Sequence, residues 1–189
     1  MFELVPTKVP GCIQINARKR QDSRGYFVKT YHRSLFHEHG LSTEFREEYY
    51  SSSNSGCLRG MHFQLPPHDH DKLVYCTTGT VLDVVVDLRR GSPTYGQAEC
   101  MTLSGESGTM LFIPKGLAHG FYVLSGPSIM VYNVTTEYAP SHDTGIHWRS
   151  IPFDWPNLSP VTSERDSSFQ PLNEFDSPFT YSPPQTLLS

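Results

Sequence analysis

Five residues in the middle of the chain have side chains that can transfer protons or hold negative charge. His62 and His119 carry imidazoles, which act as bases near neutral pH. Tyr132 can donate a proton, and Lys72 and Arg59 can hold a developing oxyanion or a diphosphate. Each also has an ordinary reading, such as a buried tyrosine with a bonded hydroxyl or a lysine at the surface. The chemistry therefore depends on whether the fold brings the five together.

A second concentration of histidines is the run His68-Asp69-His70-Asp71, which follows two prolines. Histidine and aspartate are metal ligands, but alternating residues of a strand point to opposite faces and cannot share one ion. We expect this run to be a solvated loop that is incidental to the reaction, with adventitious metal binding as the alternative.

Two stretches have the layout of cupin motifs. GCLRGMHFQ supplies His62 and Gln64, and GTMLFIPKGLAH ends at His119. A metal-binding cupin has a second histidine where Gln64 stands and a glutamate a few residues later, and this chain has neither. Because a divalent ion needs three or four converging ligands and is disfavoured beside the ammonium of Lys72, we predict a pocket without metal.

The composition predicts one all-β domain. The chain has 189 residues, and 15 prolines and 14 glycines separate short segments rich in Val, Ile, Thr, Tyr and Phe. In TVLDVVVDLR, leucines and valines alternate with Asp83 and Asp87, as in a strand. Further strands are expected over 24–32, 109–114, 119–124 and 128–136. One short helix is expected over 34–40, with Ser34 as N-cap and Gly40 as terminator.

Charge and hydropathy exclude several classes of partner. The net charge is −4 and no long basic stripe is present, so we expect no nucleic acid partner. No apolar run reaches membrane-spanning length and the N-terminus has no signal-peptide pattern, so we expect a cytoplasmic protein without a membrane partner. The four cysteines lack CxxC spacing, and we expect reduced, mostly buried thiols.

We predict a single jelly-roll domain over residues 1–166 and a Ser/Pro-rich tail over residues 167–189. The tail holds no Lys or Arg but several aromatic residues. Two alternatives are open for it: the aromatic side chains pack on the domain or on a partner, or this end of the chain is poorly ordered.

Nine short motifs occur in order between about residues 20 and 166, among them DSRGYF, LRGMHFQLPP, IPKGLAHGF and SERD. In this order they resemble the RmlC family, the dTDP-4-dehydrorhamnose 3,5-epimerases of nucleotide-sugar synthesis. The resemblance implies a cupin-like jelly-roll β-sandwich with a few short helices, needing neither cofactor nor metal. It also implies a homodimer that exchanges N-terminal strands.

The activity implied by the resemblance is inversion of C3 and/or C5 of a nucleotide-diphospho-4-keto-6-deoxy sugar, in rhamnose-type deoxysugar biosynthesis. In this scheme His62 removes a proton, and Asp166 orients and charges the imidazole of His62. Lys72 stabilises the enolate oxygen, and Tyr132 returns a proton on the opposite face of the carbon. Arg59 and Arg24 match positions that hold the diphosphate. The other expected substrate contacts are Phe27, Lys29, Glu47, Tyr49, Ser51, Gln64, His119 and Tyr138.

Strict strand alternation places Arg59 and His62 on opposite faces, although both roles require the same pocket. A β-bulge near Gly60 would resolve the conflict, and we predict one there.

Three positions depart from the family pattern, which usually has Glu at Lys29, Gln at Glu47 and Asn at Tyr49. In the relatives, the region of positions 29 and 47 helps to hold thymine. Because a carboxylate accepts from amino groups and a lysine donates to a carbonyl, we hypothesise that the base is that of GDP or CDP. Alternatively, Lys29 and Glu47 pair with each other and the base lies elsewhere. Tyr49 adds bulk near the sugar and could decide whether C3, C5 or both are inverted.

Two other function classes compete with an epimerase. A metal-dependent cupin oxygenase is disfavoured by the missing ligands at Gln64 and Lys72. A non-catalytic nucleotide-sugar-binding cupin is disfavoured because a binder has no need for both proton carriers, His62 and Tyr132.

Overall fold

The computed structural model describes residues 2–183. This part of the chain contains eleven strands and two short α-helices. The strands are β1 (Phe2–Pro6), β2 (Ile13–Ala17), β3 (Lys19–Asp22), β4 (Gly25–Val28), β5 (Glu47–Ser53), β6 (Leu58–Gln64), β7 (Lys72–Asp87), β8 (Ala98–Ser104), β9 (Thr109–Ile113), β10 (Leu117–Val134) and β11 (Asp143–Gly145). The helices are α1 (Arg33–Glu38) and α2 (Glu164–Ser168).

Two long strands, β7 and β10, form the frame of the molecule. They pair antiparallel along their lengths, from Lys72 opposite Val134 to Asp87 opposite Leu117. The first part of β7 pairs with β9 and its second part with β8, while the end of β10 pairs with β5 and its start with β6. Both long strands therefore run through two layers of strands, and this is the predicted jelly roll.

The strand predictions are confirmed in position but not in number. The segment predicted over 80–89 is the second part of β7, and those over 119–124 and 128–136 both belong to β10. Near the N-terminus, the strand expected over 24–32 is shorter and covers only Gly25–Val28. The alternation in β7 is also confirmed, but Asp83 and Asp87 are fully buried. Asp87 is accommodated by Arg89, whose guanidinium donates to it at 2.8 Å.

The predicted short helix is present as α1, but its N-cap is not Ser34. His32 precedes the helix in extended conformation and its ring Nδ1 accepts from the amide of Leu35. Ser34 already lies in the first turn, so its amide is part of the helix start. Gly40 follows the C-cap with φ of +68° and donates from its amide to the carbonyl of His37, as expected of a terminating glycine.

The predicted bulge at Gly60 is confirmed. His62 pairs with His119 and Arg59 with Phe121, so Gly60 and Met61 of β6 stand opposite the single residue Gly120 of β10. The extra residue turns the arginine and the histidine to the same side of the strand. Gly60 has φ of +137°, which favours glycine.

The described part of the expected tail, residues 167–183, packs on the domain. Phe179 is buried and Phe175 packs beside it in the cluster that contains Trp148 and Trp155. Tyr181 lies against the guanidinium of Arg89. The packing alternative therefore holds for these aromatic residues, and residues 184–189 lie outside the described part of the chain.

The four cysteines are free thiols: Cys12 and Cys76 are buried, Cys57 is half-buried and Cys100 is exposed.

Among the helices described here, none is long and apolar enough to cross a membrane.

Alanine substitutions at Gly60 and Gly25 test how much the close approach of two backbones at the bulge limits the residue at position 60. A Cβ at Gly60 would lie 2.6 Å from Cα of Gly120, whereas Gly25 has a similar φ of +124° and open space around it. We expect Gly60→Ala to lower the free energy of unfolding by about 3 kcal/mol or more, and Gly25→Ala by about 1 kcal/mol. Denaturant unfolding measures both, and equal losses would contradict the close approach of the two backbones.

Candidate active site

A cavity of about 350 Å³ is lined by β5, β6, β7 and β10, and most of the residues expected from the sequence meet there. Three of the four expected catalytic side chains and seven of the ten expected substrate contacts line it. They are Glu47, Tyr49, Ser51, Arg59, His62, Gln64, Lys72, His119, Tyr132 and Tyr138.

Strand periodicity explains much of this convergence. Glu47, Tyr49 and Ser51 alternate along β5 and so share one face, opposite Val134, Tyr132 and Met130 of β10. On β6, the bulge adds Arg59 to the face of His62, and Nε of Arg59 donates to Oγ of Ser53 at 2.8 Å.

His62 forms a carboxylate pair with Asp166, which stands behind it. The distance from Nε2 of His62 to Oδ1 of Asp166 is 2.8 Å. The carboxylate is buried in α2, whose N-cap is Ser163, and it also accepts from the amide of Gly60 at 3.0 Å. Burial alone would raise the pKa of Asp166, but its bonds to His62, Gly60 and Ser163 outweigh burial and hold the pKa below its usual value. An ionised carboxylate at Nε2 keeps the proton there and leaves Nδ1 of His62 free as a base.

His119 has a carboxylate of its own, which the sequence analysis did not identify as part of the site. Its Nε2 lies 2.8 Å from Oδ2 of Asp83, and both residues are buried. The signal was present as an aspartate within an apolar strand, because a buried aspartate requires a donor. Nothing in the sequence named His119 as that donor, since 36 residues separate the two.

Lys72 is almost completely buried, with 6% of its surface exposed. Its ammonium donates to the carbonyl of His62 at 3.3 Å. Burial lowers its pKa to about 8, against the smaller opposing effects of Asp143 and Asp83. A poorly solvated cation in a cavity wall is arranged to interact with negative charge that enters or develops there.

Tyr132 is a neutral phenol at physiological pH. Burial raises its pKa strongly, and its hydrogen bond with Ser51, at 3.3 Å between the two hydroxyl oxygens, only partly offsets this. The ring of Tyr49 is stacked on it.

Residues 68–71 form a loop between β6 and β7, as predicted, but the expectation that this loop is solvated is wrong. His70 lines the cavity, and its Nδ1 lies 3.2 Å from Nε2 of Gln64 and 3.0 Å from Oγ1 of Thr136. Burial and the neighbouring Lys72 lower the pKa of His70 to about 3, so the ring is neutral. The ring of His70 points into the cavity because it contacts the polar groups of Gln64 and Thr136. The alternation of residues along the chain could not indicate these contacts.

Two further charged residues at the cavity were missed. Arg165, next to Asp166 in the SERD motif, donates to Asp143 at 2.6 Å, and both line the cavity. Within residues 2–183, no group of three or more His, Cys, Asp or Glu side chains could hold a metal ion.

Three expected substrate contacts lie away from this cavity. Arg24 pairs with Asp22 in the β3–β4 hairpin, and Phe27 and Lys29 line a separate cavity with Arg18 and Arg20. Glu47 does line the cavity, and its carboxylate accepts from the amide of Tyr138 at 2.7 Å. In the described chain, Lys29 and Glu47 line different cavities and form no ion pair with each other.

The sequence model of the dTDP-4-dehydrorhamnose 3,5-epimerase family matches residues 6–174. The chain belongs to this family. It is 37% identical to the dTDP-4-dehydrorhamnose 3,5-epimerase of Shigella flexneri, over 93% of this chain and 98% of that protein. It is 40% identical to the enzyme of that name from Methanothermobacter thermautotrophicus, over 92% of this chain and 96% of the relative.

A solved structure supports the same assignment. The epimerase RmlC of Legionella pneumophila, in complex with dTDP-4-keto-L-rhamnose, superimposes with a TM-score of 0.91 and 34% identity, covering 96% of this chain and 100% of that one. Membership in the epimerase family confirms the resemblance found in the motifs, the cupin-like jelly roll and the isomerase class.

The buried ammonium of Lys72 should cost this epimerase stability. We expect Lys72→Met to raise the free energy of unfolding at pH 7 by up to about 3 kcal/mol, because methionine fills the space without a charge. Below pH 8 the lysine is charged in both states and the penalty is complete. Between pH 8 and 10.5 the folded state releases its proton first, so the wild type gains stability and the advantage of the variant disappears.

Denaturant unfolding at pH 7 and pH 10 measures this effect. The control is Lys115→Met, since the side chain of Lys115 is 66% exposed and carries no burial penalty. If the Lys72→Met variant were less stable than the wild type at pH 7, the prediction would be wrong. Interactions in the cavity would then outweigh the cost of burying the ammonium of Lys72.

Proposed function

We propose that the chain inverts C3 and/or C5 of a nucleotide-diphospho-4-keto-6-deoxy sugar, as the names of its relatives suggest, with His62 as base and Tyr132 as acid. The observation that carries the proposal is the meeting in one cavity of a carboxylate-paired imidazole, a neutral phenol and a buried ammonium. A non-catalytic binder would have no need for this combination.

The proton transfers follow from the positions of these groups. The 4-keto group acidifies the hydrogens at C3 and C5, and Nδ1 of His62 removes one of them while Asp166 holds Nε2–H. The electron pair of the C–H bond moves to the oxygen at C4, where the ammonium of Lys72 stabilises the enolate.

Return of a proton to the other face of the carbon completes the inversion. His62 lies on β6 and Tyr132 on the part of β10 that pairs with β5, so a sugar between the strand layers can meet one group with each face. The Tyr132 phenol gives its proton to carbon and becomes a phenolate. His62, which holds the first proton, and the phenolate then return to their starting states by exchange with solvent.

Three of the residues expected to hold the diphosphate and the base lie outside the cavity of a single chain. Arg59 is at the cavity, but Arg24, Phe27 and Lys29 are on or beside the β3–β4 hairpin, where Phe27 is 60% exposed. If these residues hold substrate, a second copy of the chain must bring them to the cavity. We therefore propose a homodimer with exchanged N-terminal strands, which also allows Lys29 of one copy to face Glu47 of the other.

Solvent deuterium incorporation tests the activity. The wild type and His62→Ala are incubated in D₂O with dTDP-, CDP- and GDP-linked 4-keto-6-deoxy sugars, and label at C3 and C5 is followed by NMR. We expect label in the wild type and a loss of at least about 10²-fold in His62→Ala, since a general base contributes about 10²–10⁴.

The control variant is His37→Ala, because His37 lies in α1, away from the cavity. Label at undiminished rate in His62→Ala would remove His62 as the base. Absence of label from every sugar in the wild type would leave the family and the fold but refute the proposed reaction.

The hypothesis that the base belongs to GDP or CDP has its own test. Thermal shifts are measured with dTDP, GDP, CDP and UDP for the wild type and for a double variant, Lys29→Glu with Glu47→Gln, which restores the residues usual in the family. We expect GDP or CDP to stabilise the wild type more than dTDP, and the preference to move towards dTDP in the variant. Stabilisation of the wild type by dTDP alone would show that the hypothesis is wrong.

A further inference from the structure

The aromatic ring of Tyr49 is stacked on the ring of Tyr132. Their centroids are 4.8 Å apart and their planes differ by 16°. The two residues are direct register partners on β5 and β10. Side chains at such positions leave the same face of the sheet with Cβ atoms about 5 Å apart. The stack is therefore set by the pairing of the two strands and does not depend on a chance contact between flexible side chains.

Tyr132 is held at its edge and at its hydroxyl as well. The ring of His119 approaches with centroids 6.1 Å apart and planes 68° apart, and His119 is itself fixed by Asp83. The hydroxyl of Tyr132 lies 3.3 Å from that of Ser51, two residues after Tyr49. One strand, β5, thus supplies both the stacking partner of the ring and the hydrogen-bond partner of the hydroxyl.

Tyr49 is the member of this set that faces the open side. It lines the cavity and is 42% exposed, whereas Tyr132 is buried. Partial desolvation of its hydroxyl, together with the nearby carboxylates of Glu47 and Asp143, raises the pKa of Tyr49 to about 12, so the stack consists of two neutral phenols at physiological pH. Loss of the Tyr49 ring would leave one face of Tyr132 open to the cavity and give its phenol room to turn. An asparagine at position 49 would have no ring to stack on Tyr132.

The position of the acid matters because one acid serves two carbons. C3 and C5 lie on either side of the carbonyl, so the sugar must present each of them in turn to the same base and the same phenol. A phenol fixed in one place returns protons efficiently only to the carbon that is aligned with it, since proton transfer requires hydrogen-bond distance.

We propose that Tyr49 is a positioning residue: its stack holds the Tyr132 phenol in one orientation and thereby sets the ratio of proton return at C3 and C5. This inference rests on the proposed function, because it assumes that Tyr132 is the acid of the epimerase. Tyr49 transfers no proton itself and acts only through Tyr132.

Three variants separate the stack from other contributions of Tyr49. Tyr49→Phe keeps the ring and removes the hydroxyl, Tyr49→Asn removes the ring, and Tyr50→Asn is the control on the neighbouring residue, which is 72% exposed. The measured quantity is the ratio of deuterium at C3 to deuterium at C5 after equal total turnover. We expect Tyr49→Asn to change this ratio by about fivefold, within the range that an aromatic pair supplies, and the other two variants to leave it within about twofold.

Mobility of the phenol provides a second readout that does not depend on turnover. In protein labelled with ¹³C in the tyrosine rings, we expect slow flipping of the Tyr132 ring in the wild type and Tyr49→Phe, and fast flipping in Tyr49→Asn. A Tyr49→Asn variant with an unchanged label ratio, or with a Tyr132 ring as immobile as in the wild type, would overturn the positioning role.

The two failures can be told apart. Label in the wild type with the same C3 to C5 ratio in all variants refutes the positioning role and leaves the epimerase intact. No label at either carbon in the wild type refutes the proposed reaction, and the role of Tyr49 in proton return with it.

Discussion

The pairing of β7 with β10 is the constraint on which the rest of this molecule depends. The two strands remain hydrogen-bonded from Lys72 and Val134 at one end to Asp87 and Leu117 at the other. Every other strand of the main sheet is attached to this pair directly or through one or two neighbours. The pair also carries Lys72, Asp83, His119 and Tyr132, so the element that joins the two layers of strands carries much of the chemistry.

The site combines this rigid frame with buried charged groups, and the ammonium of Lys72 is one that costs stability. Two imidazoles are each bound to a buried carboxylate. Within residues 2–183, the ammonium of Lys72 has a single hydrogen-bond acceptor, the carbonyl of His62. Burial of a charge is expensive unless the charge is paired, so the ammonium of Lys72 carries a desolvation penalty. Such a cost is expected at a site where the negative charge that pairs with the ammonium appears only during the reaction.

Much of the fold and the site could be predicted from local patterns. Alternation located β7, the conflict between Arg59 and His62 located the bulge, and ordered motifs identified the family. Two of the errors share one cause, which is that a residue far away in the sequence decided the outcome. The N-cap of α1 is a local exception, because His32 takes the role expected of Ser34. His70 turns inwards because its ring contacts Thr136, 66 residues away in the sequence, as well as Gln64. Asp83 was missed because it is part of the site only through His119, which β10 places beside it.

The sequence by itself determined the family, the all-β class and the residue types able to transfer protons, because these depend on periodicity and on motifs read along the chain. The tertiary structure alone decided which of these residues share a cavity. It paired His119 with Asp83 across 36 residues, stacked Tyr49 on Tyr132, and placed Lys29 and Glu47 apart within one chain. Distances between residues far apart in sequence are fixed by strand register and core packing, and these arise only when the whole sheet has formed.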